Sequence, residues 1–224
     1  MYLANPNADS IIEAIDRQGL TSESVVMILL AEKSRSEIPE LIRGLKKSRI
    51  NFCGGVFPGV IHGDNLYDQG AVMINLPALE KPLLVKGLDS PDLTLPEFGR
   101  KIKRSARGKH TAIILVDGWA SYISLFLSEI FNRLGNSFRY FGGGAGSLSS
   151  RNKPCIFTPE GEFQNAALII FTPLEVPWEF AMAGSGLPVR SWLPRPIIIL
   201  SVNLTGPRRL RSIVEVWNPI TGRK

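Results

Sequence analysis

The first part of the chain predicts short helices between apolar strands. Residues 8–19 place Ile11, Ile12 and Ile15 among acidic residues, which is the spacing of a short amphipathic helix. Val25–Leu30 is a continuous apolar run, typical of a strand that is buried on both faces. A helix beginning at Ser36 follows, with apolar residues on one face and basic residues near its end. Further strands are predicted at Asn51–Val56, Gly70–Leu76 and Lys81–Lys86.

The second part of the chain repeats this order of elements. A basic amphipathic helix is predicted over Leu95–Arg107, and a buried strand over Thr111–Val116. Ser121–Leu134 carries apolar residues at helical spacing and predicts a second helix. A short aromatic strand, a hairpin and a long apolar strand complete the series, at Phe138–Phe141, Cys155–Gly161 and Phe163–Phe171.

The two parts align in register. Met27 aligns with Ile114 at an offset of 87 residues, and Gly54 aligns with Gly142 at an offset of 88. A period this long exceeds the repeat of a solenoid. It indicates one domain of two α/β halves, at about residues 8–90 and 91–180, related by pseudo-twofold symmetry. Because strands outnumber helices and short turns join neighbouring strands, we predict an α+β fold with a mixed, largely antiparallel sheet and flanking helices.

The composition fits a globular protein. The chain has 224 residues, of which 44% are hydrophobic and 21% charged, and these values exclude collagen, coiled coils and fully disordered chains. No apolar run approaches the length of a membrane span, and the first residues lack the pattern of a signal peptide. We therefore expect a cytoplasmic protein with no membrane partner. Two cysteines and two histidines are too few for a zinc cluster, so we expect no metal site. We also expect no cofactor.

The net charge of +6 belongs to the end of the chain. Residues 1–180 contain 19 basic and 19 acidic groups, whereas residues 181–224 contain seven basic groups and one acidic group. Prolines interrupt this segment and its basic groups are dispersed, which favours an irregular Pro/Arg-rich tail. A scaffold or nucleic-acid-binding role for the basic tail is an alternative, although we do not expect a nucleic-acid partner.

Two glycine-rich segments are the candidate ligand site. We interpret Gly142–Gly146 as a loop whose amides bind an anion, with the first-half counterpart at Gly54 and Gly55. Pseudo-twofold symmetry brings equivalent loops together, which predicts a small-molecule pocket between the halves. The alternative is that these glycines form tight bends at sheet corners. The predicted ligand-binding residues are Gly54, Gly55, His62, Asp64, Asp117, Trp119, Gly142, Gly143, Gly144, Gly146 and Ser147.

Asp117 and Trp119 have two interpretations each, and His62 and Asp64 also belong to an enzymatic alternative. Asp117 follows a strand and precedes a helix, so it either caps the helix or contacts a ligand. Trp119 either stacks on a ligand or packs on the sheet. A hydrolase or transferase that uses Cys53, or His62 with Asp64, is the enzymatic alternative. His110, beside Lys109, is expected to be exposed.

Several segments resemble the N-terminal region of the FIST (F-box and intracellular signal transduction) domain family. They are Arg139–Ser147 and Cys155–Phe171, with the upstream Asn51–Val56 and Tyr67–Met73, and the resemblance spans about residues 8–180. It implies an intracellular sensory domain that binds small ligands, amino acids among them, and acts with a signalling protein partner. It implies no catalytic residues.

The chain departs from the family pattern in two ways. Ser147 stands where the family loop usually has an aspartate, so a carboxylate contact would be missing there. A similar family member continues into a long C-terminal sensory region, whereas about 44 residues of changed composition remain here. We therefore interpret residues 181–224 as a degenerate or out-of-frame remnant of that region.

Overall fold

A computed structural model describes residues 1–18, 24–96, 110–135, 138–149 and 153–174. The first half contains β1 (Tyr2–Leu3), α1 (Ala8–Gln18), β2 (Ser24–Ala31), a 3-10 helix (Glu32–Glu37), α2 (Ile38–Lys47), β3 (Phe52–Phe57), β4 (Val60–His62), β5 (Asn65–Tyr67), β6 (Ala71–Pro77) and β7 (Leu83–Lys86). The second half contains β8 (His110–Asp117), α3 (Ile123–Leu134), β9 (Phe138–Ala145), β10 (Ile156–Thr158), β11 (Gly161–Phe163) and β12 (Ala166–Thr172).

The strands form two main sheets. The larger has the order β1-β6-β2-β3-β10-β11, and the smaller has the order β7-β12-β8-β9. Strands β4 and β5 pair with each other as a separate hairpin. In both main sheets the parallel pair is joined through a helix, and all other pairings are antiparallel. The predicted α+β class with mixed sheets is confirmed, although the strands divide between two sheets.

Both halves contain the same three-strand arrangement. Strand β2 lies between β6 and β3, and β8 lies between β12 and β9, with one antiparallel and one parallel neighbour in each case. Ile28 pairs with Gly54, and Ile114 pairs with Gly142. The register therefore places Ile28, rather than Met27, at the position equivalent to Ile114.

Each half also contributes strands to the sheet of the other half. Hairpin β10–β11 follows β9 in the chain, yet β10 pairs with β3 of the first half. Strand β7 precedes β8 in the chain, yet it pairs with β12 of the second half. The two halves are therefore joined by backbone hydrogen bonds as well as by packing.

The core divides along the alternation of β8. Ile113 and Leu115 belong to a cluster with β2, β3, α1 and α2. Ile114 and Val116 belong to a second cluster, with the buried face of α3. Because successive side chains of a strand point to opposite faces, the smaller sheet separates these two clusters.

The structure corrects several local predictions. The strand that begins at Phe138 continues through Gly142, Gly143 and Gly144 to Ala145, so these glycines belong to a strand and not to a loop. Strands Val60–His62 and Asn65–Tyr67 form the β4–β5 hairpin, and neither was among the predicted strands. His110 is buried at the start of β8, because its ring packs beside Phe138 with the centroids 5.9 Å apart. Almost all of the predicted helix Leu95–Arg107, and all of the tail 181–224, lie outside the described residues.

Candidate functional site

The carboxyl ends of the parallel strands from both sheets lie together. The amide of Gly146, just after β9, donates to the carbonyl oxygen of Val56 in β3 at 2.8 Å. The amide of Gly118, just after β8, donates to the carbonyl oxygen of Ala145 at 2.8 Å. Ligands of open α/β sheets bind beyond the carboxyl ends of such strands, where the chain leaves the sheet. The junction of the two sheets therefore has the position that ligand sites occupy in such folds.

An open pocket of about 470 Å³ lies at this junction. The first half lines it with residues that follow β2 directly, Glu32, Lys33, Arg35, Ser36 and Pro39. The second half lines it with Ser147, Ser149, Lys153 and Glu162. Eight of these nine residues are charged or carry a hydroxyl group, so the pocket suits a polar ligand.

Glu32 of the first half is held by the segment that follows β9. One carboxylate oxygen, Oε1, accepts hydrogen bonds from the hydroxyl groups of Ser147 and Ser149 and from the Ser149 amide at 3.3 Å. The other oxygen, Oε2, accepts a hydrogen bond from the Leu148 amide at 3.0 Å. A carboxylate does lie beside Ser147, but Glu32 supplies it from more than a hundred residues away in the chain.

These hydrogen bonds determine the ionisation of Glu32. Partial burial tends to raise the pKa of Glu32, but the hydrogen bonds from Ser147, Ser149 and Leu148 stabilise the charged form and outweigh it. The net effect is a pKa below the usual value for glutamate. Glu32 is therefore ionised at neutral pH.

Arg35 makes a second link between the halves. Its guanidinium group donates to Glu162 of β11 at 2.9 Å and also to the carbonyl oxygen of Pro154. The two side chains are 19% and 28% exposed, so solvent screens this ion pair only partly. Arg35 thereby fixes the β10–β11 hairpin to the 3-10 helix that borders the pocket.

Among the predicted site residues, Ser147 lines this pocket. Gly146 lies one residue before it, and a Cβ at Gly146 would approach the Trp119 indole nitrogen at 3.1 Å. Gly55 lies across the junction, since a Cβ there would approach the Cβ of Ala145 at 3.1 Å. These residues therefore lie at or beside the junction, where the two halves contact each other.

Close packing explains two of the remaining glycines. A Cβ at Gly54 would meet the carbonyl oxygen of Ile28 and the ring of Phe157. A Cβ at Gly142 would meet the backbone of Ile114. Both glycines thus allow close approach within a sheet. Gly143 and Gly144 follow in β9 and are half-buried.

Asp117 braces the backbone at the end of β8. Its Oδ1 accepts a hydrogen bond from the Trp119 amide at 3.0 Å, and its Oδ2 accepts one from the Asn165 amide at 2.7 Å. Asn165 has a φ of 49°, a left-handed conformation that this contact helps to fix. Asp117 is 2% exposed, so its carboxylate acts on the local backbone.

The residues of the enzymatic alternative lie apart from this pocket. His62 ends β4, and its ring stacks with Tyr2 at a centroid distance of 6.2 Å. Asp64 is exposed at the tip of the β4–β5 hairpin. Cys53 is fully buried in β3, and burial raises the pKa of its thiol. A thiol with a raised pKa is a poor nucleophile at neutral pH.

Four residues that line the pocket are not among those predicted from the sequence: Glu32, Arg35, Lys153 and Glu162. Glu32 and Arg35 did offer a signal, because charged residues that directly follow a buried strand lie at its carboxyl end. No sequence pattern indicated that Lys153 and Glu162 lie at this site. They reach the pocket through the pairing of β10 with β3, which connects distant parts of the chain.

A comparison with family models identifies the region that contains these elements. The FIST N domain model matches residues 25–191, about three quarters of the chain. The chain belongs to the FIST N domain family. This is a family of signal-transduction sensory domains. The match begins at β2, covers the described chain to its end, and extends past residue 180. Neither the curated proteins nor the solved structures gave a match.

Within the described residues, no group of three histidine, cysteine, aspartate or glutamate side chains could hold a metal ion.

No helix in the described part of this FIST chain is both long and apolar enough to cross a membrane.

Proposed function

We propose that this chain is a cytoplasmic sensory domain that binds an amino acid or a related metabolite in the pocket between its halves. One observation carries the proposal: a polar pocket lies at the carboxyl ends of strands from both sheets, and both halves line it. A domain of a sensory family needs such a place for its signal. The bound molecule would contact both halves at once.

The charges that line the pocket favour a ligand with both a positive and a negative group. Lys33, Arg35 and Lys153 supply cations, and Glu32 and Glu162 supply anions. An amino acid carries a carboxylate and an ammonium group a few ångströms apart, so it can be matched by both sets. Ser36, Ser147 and Ser149 add hydroxyl groups that can donate to the ligand or accept from it.

Ligand binding would change how firmly the halves are joined. A ligand can shift a conformational equilibrium only by its differential affinity for the two states. Contacts to the pocket residues of the Glu32–Pro39 segment and to Ser147, Ser149, Lys153 and Glu162 would differ between an open and a closed junction. We propose that a signalling protein recognises the closed state.

Thermal unfolding of the full chain tests the proposal. Each amino acid and central metabolite is added in excess, and a ligand at about 100 times its dissociation constant adds roughly 2.7 kcal/mol of stability. Lys153→Ala removes an exposed cation of the pocket, and Lys47→Ala, an exposed cation of α2, is the matched control. We expect one compound class to raise the midpoint in the unchanged chain and in Lys47→Ala, with a smaller rise in Lys153→Ala.

Two results would contradict the proposal. The absence of any midpoint shift across the compounds would refute small-ligand binding. An equal shift in Lys153→Ala and Lys47→Ala would place the ligand outside this pocket.

A further inference from the structure

The segment Ser147–Ser149 forms a small cradle of hydrogen-bond donors. Two hydroxyl groups and two backbone amides converge on a single carboxylate. Donors reach both oxygens of that group, which is the arrangement that binds a planar carboxylate tightly. We call these four donors the carboxylate cradle.

The present occupant of the carboxylate cradle is a side chain of the protein itself. Glu32 enters from the first half, while all four donors belong to the second half. The hydrogen bonds to Leu148 and Ser149 are exposed to solvent, and Leu148 is 60% exposed. Glu32 can therefore leave by rotating its side chain, without opening the hydrophobic core.

The cradle opens onto the pocket described above. Glu32, Ser147 and Ser149 all line that pocket, together with the cation Lys153. A second carboxylate arriving there would compete for the same donors, because carboxylates of ligand and protein have the same geometry. Lys153 would offset the added negative charge.

We propose that Glu32 is an internal stand-in for a ligand carboxylate, which displaces it from Ser147–Ser149 and replaces this link between the halves with contacts of its own. The proposal rests on the proposed function, and it adds the chemical group that is recognised and the contact that is switched. In the free protein Glu32 blocks the cradle. In the complex the ligand occupies it.

A tethered competitor weakens the apparent affinity for any free carboxylate. The apparent dissociation constant rises by the inverse of the fraction of molecules with an open cradle. Four hydrogen bonds keep this fraction low. If the cradle is open in fewer than about one molecule in ten, removing Glu32 strengthens carboxylate binding by at least about tenfold.

Acetate is the simplest probe, and amide chemical shifts of the full-length chain report its position. Glu32→Ala empties the cradle, and Glu32→Gln removes the charge while keeping the shape. Glu162→Ala is the control for pocket charge, because it removes one negative charge from the same pocket and Glu162 makes none of the hydrogen bonds of the cradle. Its partner Arg35 keeps the contact to the carbonyl oxygen of Pro154 in this variant. We expect acetate to shift the Leu148 and Ser149 amides in Glu32→Ala at a concentration at least about tenfold lower than in Glu162→Ala. Acetamide, which lacks the charge, should shift neither amide.

The result that would overturn the proposal is equal acetate affinity in Glu32→Ala and Glu162→Ala, since only pocket charge would then matter. If Glu32→Ala does not melt cooperatively, Glu32→Gln takes its place, and unchanged acetate affinity there overturns the proposal equally. The metabolite screen separates the two ideas. If a metabolite raised the thermal midpoint but the Glu32 variants bound acetate no more tightly than the control, the proposed function would be supported and the role of Glu32 as a stand-in refuted. An acetate effect without any metabolite response would support the cradle and refute the proposed function.

Discussion

Strands β3 and β9 occupy equivalent positions in the two halves but have different surroundings. All six residues of β3 are buried, because β2 lies on one side and β10 on the other. In the described residues β9 pairs only with β8, and most of its residues are half-buried. Similar glycine-containing sequences therefore form a core strand in one half and an edge strand in the other. The pairing partner determines the role of each glycine.

The largest expected difference in stability is between removing the aromatic side chain that packs on β3 and removing one in β9. Phe157 of β10 is fully buried over Gly54, so Phe157→Ala should reduce the free energy of unfolding by about 3–5 kcal/mol. Phe141 of β9 is 38% exposed, and Phe141→Ala should cost about 1 kcal/mol. Urea denaturation of both variants measures the difference. Equal losses would mean that β9 is as enclosed as β3.

Adding one methyl group should destabilise the protein at either glycine, because both allow close approach to the neighbouring strand. In Gly54→Ala the new Cβ meets the carbonyl oxygen of Ile28 and the ring of Phe157, and strands on both sides prevent β3 from moving, so we expect a loss of about 3 kcal/mol. In Gly142→Ala the Cβ meets the backbone of Ile114, and β9 can move away only by weakening its pairing with β8, so we expect a similar loss of about 3 kcal/mol. The same denaturation experiment applies. A loss below about 1 kcal/mol in Gly142→Ala would show that β9, as an edge strand, adjusts where β3 cannot.

The two ion pairs of the 3-10 helix should also differ, because one is partly buried and the other is exposed. Arg35→Met removes the part-buried contacts to Glu162 and Pro154, and we expect it to lower the free energy of unfolding by about 1–2 kcal/mol. Lys33→Met removes an exposed pair with Asp68, and we expect no measurable change. Chemical denaturation at low and high salt tests both. A salt-sensitive loss in Lys33→Met would contradict this ranking.

The smallest expected effect is the pH dependence that Glu32 contributes. Its folded-state pKa lies below its unfolded-state pKa of about 4.3, so the unfolded chain takes up the proton first on acidification. The stabilisation is therefore complete above about pH 4.3 and is lost as the pH falls through the folded-state pKa. Glu32→Gln should lose less stability between pH 7 and pH 3 than the unchanged chain. If both proteins lost the same free energy of unfolding between pH 7 and pH 3, the hydrogen bonds to Ser147–Ser149 would not favour the ionised form of Glu32.

Much of the fold could be predicted from local patterns. The continuous apolar runs of β2, β8 and β12 predicted buried strands, and the spacing in α1, α2 and α3 predicted their helices to within about two residues. These signals depend on neighbouring residues only. The sequence resemblance also identified the family, which the family model confirms.

The candidate site depended on distant contacts that no local pattern contains. Glu32 and Ser147 are separated by 115 residues, and Arg35 and Glu162 by 127. Glycine posed a second difficulty, because it has no side chain whose periodicity separates a loop from a strand. The predicted strand Asn51–Val56 already contained Gly54, whereas the pairing of Ile114 with Gly142 is what shows that Gly142 lies within a sheet. Ligand binding by the predicted residues stays a prediction.

The pairing of β10 with β3 also affects how the chain folds while it is synthesised on the ribosome. Strand β3 leaves the exit tunnel with an exposed edge, and its partner follows about a hundred residues later. At about 5–20 residues per second, that edge waits on the order of 5–20 seconds for β10. During this interval the nascent chain exposes an apolar strand to which other polypeptides can add. The production of this protein in cells should therefore depend on translation speed and on chaperones that cover the first half until the second arrives.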